Sequence, residues 1–199
     1  ICTVKSSPVV AVREGRITTK KSGASTSPPG ASGTMAAAAS ADQGPTIEGE
    51  PVLPAGGAER FGFQAAEGLA RHETVQVDGE AFSRAVRVRT LRSPEPDGRW
   101  WSVQIGCPTA EPVRSGDVLV LRFALRGVAS QDETGDALAV AYFQQAGPPW
   151  HKSLTFHASA GEQWQRFQVP FRVRTDYAGG EATRCLGFGF KPQTVDVAD

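Results

Sequence analysis

The sequence predicts an all-β protein, a β-sandwich or jelly roll that is preceded by a disordered segment. Apolar and polar residues alternate with period two in eight or nine short segments, and turn-forming residues separate these segments. All sixteen Phe, Trp and Tyr residues lie from Phe61 onward. No segment shows a sustained helical period. Short strands at this spacing over about 145 residues are typical of a two-sheet antiparallel domain.

The N-terminal part of the chain has a different composition. Between residues 22 and 46, all but three residues are Gly, Ala, Ser, Thr or Pro, and the three exceptions are Met35, Asp42 and Gln43. Such a segment buries too little apolar area to offset the loss of chain entropy on folding. We therefore expect residues 1–50 to be disordered and residues 51–199 to form one β-sandwich domain.

The first 21 residues carry five Lys or Arg and one Glu. Two interpretations stay open for this basic segment: contact with a polyanion, or a solvated tail without a partner. Met35 is the only methionine, and translation starting there would place residues 1–34 outside the protein.

Each predicted strand has one apolar face. In chain order, the apolar positions are Val86 and Val88; Trp101, Val103 and Ile105; Leu119, Leu121, Phe123 and Leu125; Leu138, Val140 and Tyr142; Leu154 and Phe156; Phe167, Val169 and Phe171; Leu186, Phe188 and Phe190; and Val195 and Val197. Turn signals punctuate them at Asp97-Gly98, Ser115-Gly116-Asp117, Thr134-Gly135-Asp136, Ala160-Gly161-Glu162 and Gly179-Gly180.

Charge and cysteine content exclude several classes of protein. Lys plus Arg and Asp plus Glu are 21 each, so no global field favours nucleic acid or an acidic membrane. Cys2, Cys107 and Cys185 are an odd number without a C-x-x-C motif, which argues against a zinc site or a disulfide framework. Cys107 and Cys185 either pair across neighbouring strands or are two semi-buried thiols.

The sequence does not nominate a catalytic site. It contains no G-x-S-x-G elbow, no H-E-x-x-H motif and no phosphate-binding glycine loop. We therefore predict that this chain is not itself an enzyme and needs no cofactor. One structural calcium ion is conceivable at a turn that offers oxygen ligands from Asp132, Glu133 and Asp136.

Aromatic residues beside planar polar side chains are the strongest functional lead. The flat C–H faces of sugar rings stack on Trp or Tyr, and their hydroxyls bond to amides and imidazoles. In the segment from Trp100 to Ile105, Trp101 shares the face of Val103 and Ile105, so we expect Trp101 in the core. The opposite face carries Trp100, which leaves that ring free to stack on a ligand.

The predicted carbohydrate-binding residues come from this face and from the Gly147-Pro148-Pro149 turn. They are Trp100 and Trp150 as stacking platforms, and Gln104, Gln144 and His151 as hydrogen-bond partners. The alternative is that these aromatic residues, like others at strand ends, pack under loops.

Several motifs together resemble a known family of accessory domains. They are Trp101-Ser102-Val103-Gln104-Ile105, Pro112 to Leu119, Gln145 to Leu154, Trp164-Gln165-Arg166-Phe167, Asp176 to Ala182, and Pro192 to Val197. In this order they resemble the N-terminal jelly-roll domain of bacterial family 10 glycoside hydrolases, the endo-1,4-β-xylanases. That domain is similar to carbohydrate-binding modules of families 4, 9 and 22. Family members usually carry Tyr where Trp150 stands.

The resemblance implies a galactose-binding-like jelly roll that binds plant cell-wall glycan, with xylan as the first candidate. It also implies a catalytic glycoside hydrolase domain as partner and a secreted, periplasmic or cell-surface location. It adds Tyr177, from the motif Asp176 to Ala182, to the aromatic residues of the site.

Two functions remain open at this point. The first is a non-catalytic domain that tethers an enzyme to polysaccharide. The second is a structural domain that docks on a catalytic barrel without binding sugar, since fold alone does not dictate function. Burial of Trp100, Trp150 and Tyr177 together would favour docking.

Overall fold

The structure is a computed structural model that describes residues 9–12, 49–55, 60–95 and 98–199. The strands are β1 (Val9–Val12), β2 (Glu50–Pro51), β3 (Gly62–Ala65), β4 (Ala70–Gln76), β5 (Arg84–Thr90), β6 (Val103–Pro108), β7 (Val118–Ser130), β8 (Ala137–Gln145), β9 (Lys152–Ala160), β10 (Gln165–Arg172), β11 (Ala182–Gly187) and β12 (Gln193–Ala198). One turn of 3-10 helix, Trp100–Ser102, precedes β6. No helix within the described ranges is long and apolar enough to cross a membrane.

The strands form two antiparallel sheets, which confirms the predicted all-β sandwich. The first sheet has the order β2-β1-β7-β12-β5-β4, and β10 pairs with the other edge of β7. The second sheet has the order β3-β6-β11-β8-β9. Strands far apart in sequence are neighbours in both sheets, so both sheets depend on long-range pairing.

The core lies between the two sheets and follows the period-two pattern. On β7, Leu119, Leu121 and Leu125 are fully buried in it, together with Phe123. From the second sheet, Ile105, Phe143 and Leu186 are among the residues that face them. Because successive side chains of a strand point to opposite sides, the alternation in the sequence fixes which side of each strand is apolar.

The N-terminal segment, residues 1–50, departs from the predicted disorder at Val9–Val12 and at Glu50, the first residue of β2. Val9–Val12, predicted to be disordered, forms β1 and pairs with Val118–Leu121 of β7. Three of these four residues are Val, which has a high strand propensity. The prediction of disorder rested on the composition of residues 22–46, which do not include them. Most of the rest of the segment, residues 1–8 and 13–48, lies outside the described residues.

A buried ion-pair cluster lies on the outer side of the first sheet. Asp196 of β12 is inaccessible to solvent, and its carboxylate accepts hydrogen bonds from Arg87 at 2.7 and 3.0 Å and from Arg126 at 2.5 Å. Burial disfavours the charged carboxylate, but the hydrogen bonds from Arg87 and Arg126 outweigh this effect and hold the pKa of Asp196 below its ordinary value. Arg87 of β5 and Arg126 of β7 thus have a structural role.

The two cysteines of the sandwich do not pair. Cys107 and Cys185 are both buried free thiols. Their strands are neighbours, but Cys107 is opposite Arg184, and Cys185 is opposite Gly106. The two thiols therefore point to opposite sides of the sheet, and of the two interpretations open from the sequence, the semi-buried thiols are correct.

Candidate functional site

The outward side of the five-stranded sheet carries a row of polar side chains. The register of β3, β6, β11, β8 and β9 places these residues on one side, away from the core. We call this side the Tyr142 face; its functional groups are Gln64, Gln104, Thr183, Cys185, Tyr142, Gln144, Lys152, Thr155 and His157. Glutamines and hydroxyls dominate it, which are the groups that bond to sugar hydroxyls.

Hydrogen bonds hold the polar groups of this face in fixed orientations. The amide nitrogen of Gln104 donates to Gln64 Oε1 at 2.5 Å, and the Tyr142 hydroxyl donates to Gln104 Oε1. The Thr183 hydroxyl and the Cys185 thiol share a further contact of 3.5 Å. A ligand would therefore meet pre-oriented donors and acceptors.

A small apolar cluster covers the centre of the Tyr142 face. Val140, Tyr142 and Cys185 are buried there beneath Trp100 and Phe190. The Trp100 ring packs edge-on against Tyr142, with ring centroids 4.8 Å apart. Burial raises the pKa values of the Tyr142 hydroxyl and the Cys185 thiol. Both groups therefore stay protonated at neutral pH and can serve as hydrogen-bond donors rather than as bases or nucleophiles.

Trp101 does not lie in the core as predicted, and Trp100 is less exposed than its neighbour. Trp101, expected in the core, is 51% exposed, whereas Trp100 is half-buried against the sheet. The prediction assumed an extended chain from Trp100 onward, but Trp100–Ser102 is a 3-10 turn and strand alternation begins only at Val103. The indole of Trp101 stands edge-on to that of Trp100, with centroids 5.2 Å apart, and projects into solvent.

Glycines allow Trp100 to approach the sheet closely. A Cβ added at Gly187 would lie 2.7 Å from Trp100 Cε3, and one at Gly189 would lie 3.0 Å from the Trp100 carbonyl oxygen. Any side chain at these two positions would push the 3-10 turn away from β11. The motif Gly187-Phe188-Gly189 therefore positions the aromatic pair.

Trp150 presents a second aromatic ring at the hairpin between β8 and β9. It is 48% exposed and has φ of 61°, the one positive φ of a non-glycine residue in the described part of the chain. The turn is held by the Trp150 amide, which donates to the Gly147 carbonyl at 2.9 Å, and by the Gln145 amide, which donates to the His151 carbonyl at 2.9 Å. A bulky residue in this region of φ is strained, a feature that clusters at functional sites.

The other four predicted site residues lie in three different places: on the Tyr142 face, beside Trp150 and in the core. Gln104 and Gln144 lie on the Tyr142 face as expected, although Gln144 is largely buried. His151 is exposed beside Trp150. The prediction for Tyr177 was wrong in its assumption of an exposed ring. Tyr177 is 6% exposed, and its ring packs in the core at 6.4 Å from that of Phe143.

The proposed calcium turn does not gather its ligands. An oxygen of Asp132 accepts hydrogen bonds from the amide and the hydroxyl of Thr134, at 3.1 and 2.8 Å, which closes the turn. Glu133 is exposed and lies 3.8 Å from Lys191. Among the described residues, no group of three or more His, Cys, Asp or Glu side chains is close enough to hold a metal ion.

Of the nine functional groups on this face, the sequence analysis predicted only Gln104 and Gln144 as site residues; Lys152 and Gln64 are among those it missed. Lys152 and Gln64 lie on the Tyr142 face because of their register opposite Gln144 and Gln104. The register of β8 and β9 shifts between the pairs Phe143–Leu154 and Gln144–Lys152. The side of the sheet on which Lys152 lies therefore depends on the strand pairing. No local sequence signal could have indicated either residue.

Comparison with solved structures identifies the fold. A family 4 carbohydrate-binding module ("CBM4 structure and function") superposes with a TM-score of 0.52 and 14% identity, over 71% of this chain and 92% of the module. This is the fold of carbohydrate-binding modules. A protein from Bacteroides thetaiotaomicron VPI-5482 whose suggested ligand is a sugar matches with a TM-score of 0.51 and 10% identity, over 70% of this chain and 85% of that protein.

The same fold also occurs within a larger enzyme. The arabinose-bound α-L-arabinofuranosidase MgGH51 matches with a TM-score of 0.51 and 10% identity, over 73% of this chain but only 24% of the enzyme. No family model and no curated protein sequence matches the chain. The resemblance is thus confirmed at the level of the module fold, and the assignment to family 10 glycoside hydrolases stays a prediction.

Proposed function

We propose that this chain is a non-catalytic carbohydrate-binding domain that tethers a secreted polysaccharide-degrading enzyme to plant cell-wall glycan, with xylan as the first candidate. The observation that carries the proposal is the Tyr142 face with its hydrogen-bonded Gln64 and Gln104, together with two exposed indoles: Trp101, which packs against Trp100, and Trp150 in the hairpin that joins β8 and β9. Along β8, Val140 and Gln144 lie about 13 Å apart, since a strand rises about 3.3 Å per residue. A face of this length suits a chain of several sugar rings.

Weak binding is sufficient for this function. A tether raises the effective concentration of the linked enzyme at its substrate, so a single site needs only modest affinity. Exposed aromatic rings give such sites most of their contact area, and the glutamine amides select the hydroxyl pattern. The side chains of the face thus fit a retention role.

Retention of three Trp150 variants on xylan tests this proposal. In affinity electrophoresis, Trp150→Ala and Trp150→Leu should lose retention, because neither offers a flat aromatic face. Trp150→Tyr should keep most of it. Equal retention of wild type, Trp150→Ala and Trp150→Leu, with all of them folded, would remove Trp150 from the site.

The second candidate is a structural domain that docks on a catalytic barrel without binding sugar. The observation that favours it is the matching arabinofuranosidase, of which this fold is a quarter. The condition expected for that function, burial of Trp100, Trp150 and Tyr177 together, is not met: Tyr177 is buried and Trp100 is half-buried, but Trp150 is 48% exposed. Absence of binding to xylan, mixed-linkage glucan and cellulose, from a protein that unfolds cooperatively, would support the docking role.

A further inference from the structure

The Tyr142 face carries one residue with a permanent charge. Its strand positions are amides, hydroxyls, glycines, a thiol, His157 and apolar residues, and no Asp or Glu is among them. The permanent charge is the ammonium group of Lys152, at the start of β9. A face without carboxylates does not repel an anionic ligand.

Lys152 projects over the centre of the face rather than into bulk solvent. Its Nζ lies 6.0 Å from the centroid of the Tyr142 ring, and the residue is half-buried. Burial raises the pKa of Cys185, and the charge of Lys152 is one of the smaller effects that oppose this rise. The ammonium group therefore acts electrostatically on the middle of the sheet.

The ammonium of Lys152 has no carboxylate within ion-pair distance among the described residues, unlike several other cations of the fold. Arg87 and Arg126 pair with Asp196, Arg89 with Glu73, Arg166 with Glu80, Arg184 with Asp199 and Lys191 with Glu133. A partly desolvated ammonium without a counter-ion attracts an anion from outside. The unpaired state of Lys152 thus leaves a charge available to a ligand.

The position of Lys152 next to Trp150 links this charge to the aromatic platform. The two residues are two positions apart, so their Cα atoms are at most about 7 Å from each other. A sugar ring on Trp150 would bring its substituents within reach of the flexible Lys152 side chain. The opposite neighbour on β8, Gln144, can bond to a neutral part of the same ring.

We propose that the Tyr142 face selects glycan chains with acidic substituents, a uronate carboxylate or a sulfate ester, and that Lys152 is the residue that provides this selectivity. The inference rests on the proposed glycan-binding function and narrows it. Lys152 contributes a point charge, which attracts either type of anion.

Two pairs of matched ligands separate the two sources of charge. The first is glucuronic-acid-substituted xylan and the same xylan after reduction of its carboxyl groups. The second is a sulfated β-glycan and its desulfated form. Calorimetry on the whole chain should show an acidic form bound about threefold to tenfold tighter than its neutral counterpart in at least one pair. This preference should decrease as salt is raised.

Variants then assign the preference to Lys152. Lys152→Gln should bind both members of the pair equally, because it lacks the charge that favours the acidic member. Lys152→Arg should retain the preference. Arg71→Gln removes an exposed cation from the outer side of the other sheet, and it should change neither affinity, which controls for the net charge of the protein.

The possible failures of the two proposals are distinguishable. Binding of neutral and acidic members with equal affinity in both pairs would overturn the role of Lys152 and leave the glycan-binding function intact. A preference that persists in Lys152→Gln would overturn it as well. Absence of binding to every neutral and acidic member would reject the glycan-binding function itself, and the selectivity with it.

Discussion

The replacement Gly187→Ala should displace Trp100 without removing any aromatic ring. The new Cβ would lie 2.7 Å from Trp100 Cε3 and 2.9 Å from its carbonyl oxygen, whereas ordinary contacts begin at 3.4 Å. The ring and its backbone must therefore move by roughly 1 Å. Overpacking of this kind destabilises a protein by about 1–3 kcal/mol, which a denaturant titration can measure.

The same replacement should weaken glycan binding. Displacement of Trp100 also moves Trp101, which packs edge-on against it, so one of the two exposed indoles leaves its place. We expect an affinity for xylo-oligosaccharide at least tenfold lower by calorimetry, equivalent to about 1.4 kcal/mol. Gly62→Ala is the matched control on the same face, because its Cβ would meet nothing closer than the Gly106 carbonyl oxygen at 3.8 Å. It should bind as wild type does.

One result would refute this reasoning. If Gly187→Ala is destabilised and its tryptophan fluorescence changes, but its affinity equals that of Gly62→Ala, then the Trp100–Trp101 pair does not contribute to binding. The site would then have to lie at the Trp150 hairpin alone.

Three further predictions concern stability and the thiols. Because Trp150 has φ of 61°, Trp150→Gly relieves a backbone strain that Trp150→Ala retains, so urea titration should find the Gly variant more stable by about 1 kcal/mol; equal stabilities would contradict the strain. The pKa of Asp196 is lower in the folded state, so its contribution to stability is present above its ordinary unfolded pKa and is lost as the pH falls below it. Asp196→Asn should therefore cost about 3–5 kcal/mol at pH 7 and flatten the acid limb of the stability curve, and an unchanged acid limb would disprove the role of this carboxylate. Cys107 and Cys185 should react with a thiol reagent only after unfolding, whereas a disulfide-linked peptide in a non-reducing digest would show that they pair.

The fold could be predicted from the sequence because local patterning and global packing agree. On β7, Leu119, Leu121, Phe123 and Leu125 recur at every second position, and all four lie in the core between the sheets, as the pattern predicts. The same reasoning failed at Trp101, because one 3-10 turn interrupts the alternation before Val103. A period-two pattern assigns sides only within a continuous strand.

The candidate site was only partly predictable for a different reason. Gln104 and Trp150 stood out through their residue types and their positions near turns. Lys152 and Gln64 join the face through strand pairing over long distances in sequence, and Tyr177 leaves it because its loop folds into the core. Pairing register is a property of the assembled sheet, which a single sequence does not display.

The most direct test of the central claim is an NMR titration of the four tryptophan indole N–H signals with xylo-oligosaccharide. Trp101 packs against Trp100 over the Tyr142 face and Trp150 lies in the hairpin that joins β8 and β9, whereas Trp164 lies on the other sheet, 4.9 Å from both Phe82 and the Arg126 guanidinium. If the Tyr142 face binds glycan, the signals of Trp101 and Trp150 should shift with ligand concentration and that of Trp164 should not. A shift confined to Trp164, or no shift at saturating ligand, would contradict the account.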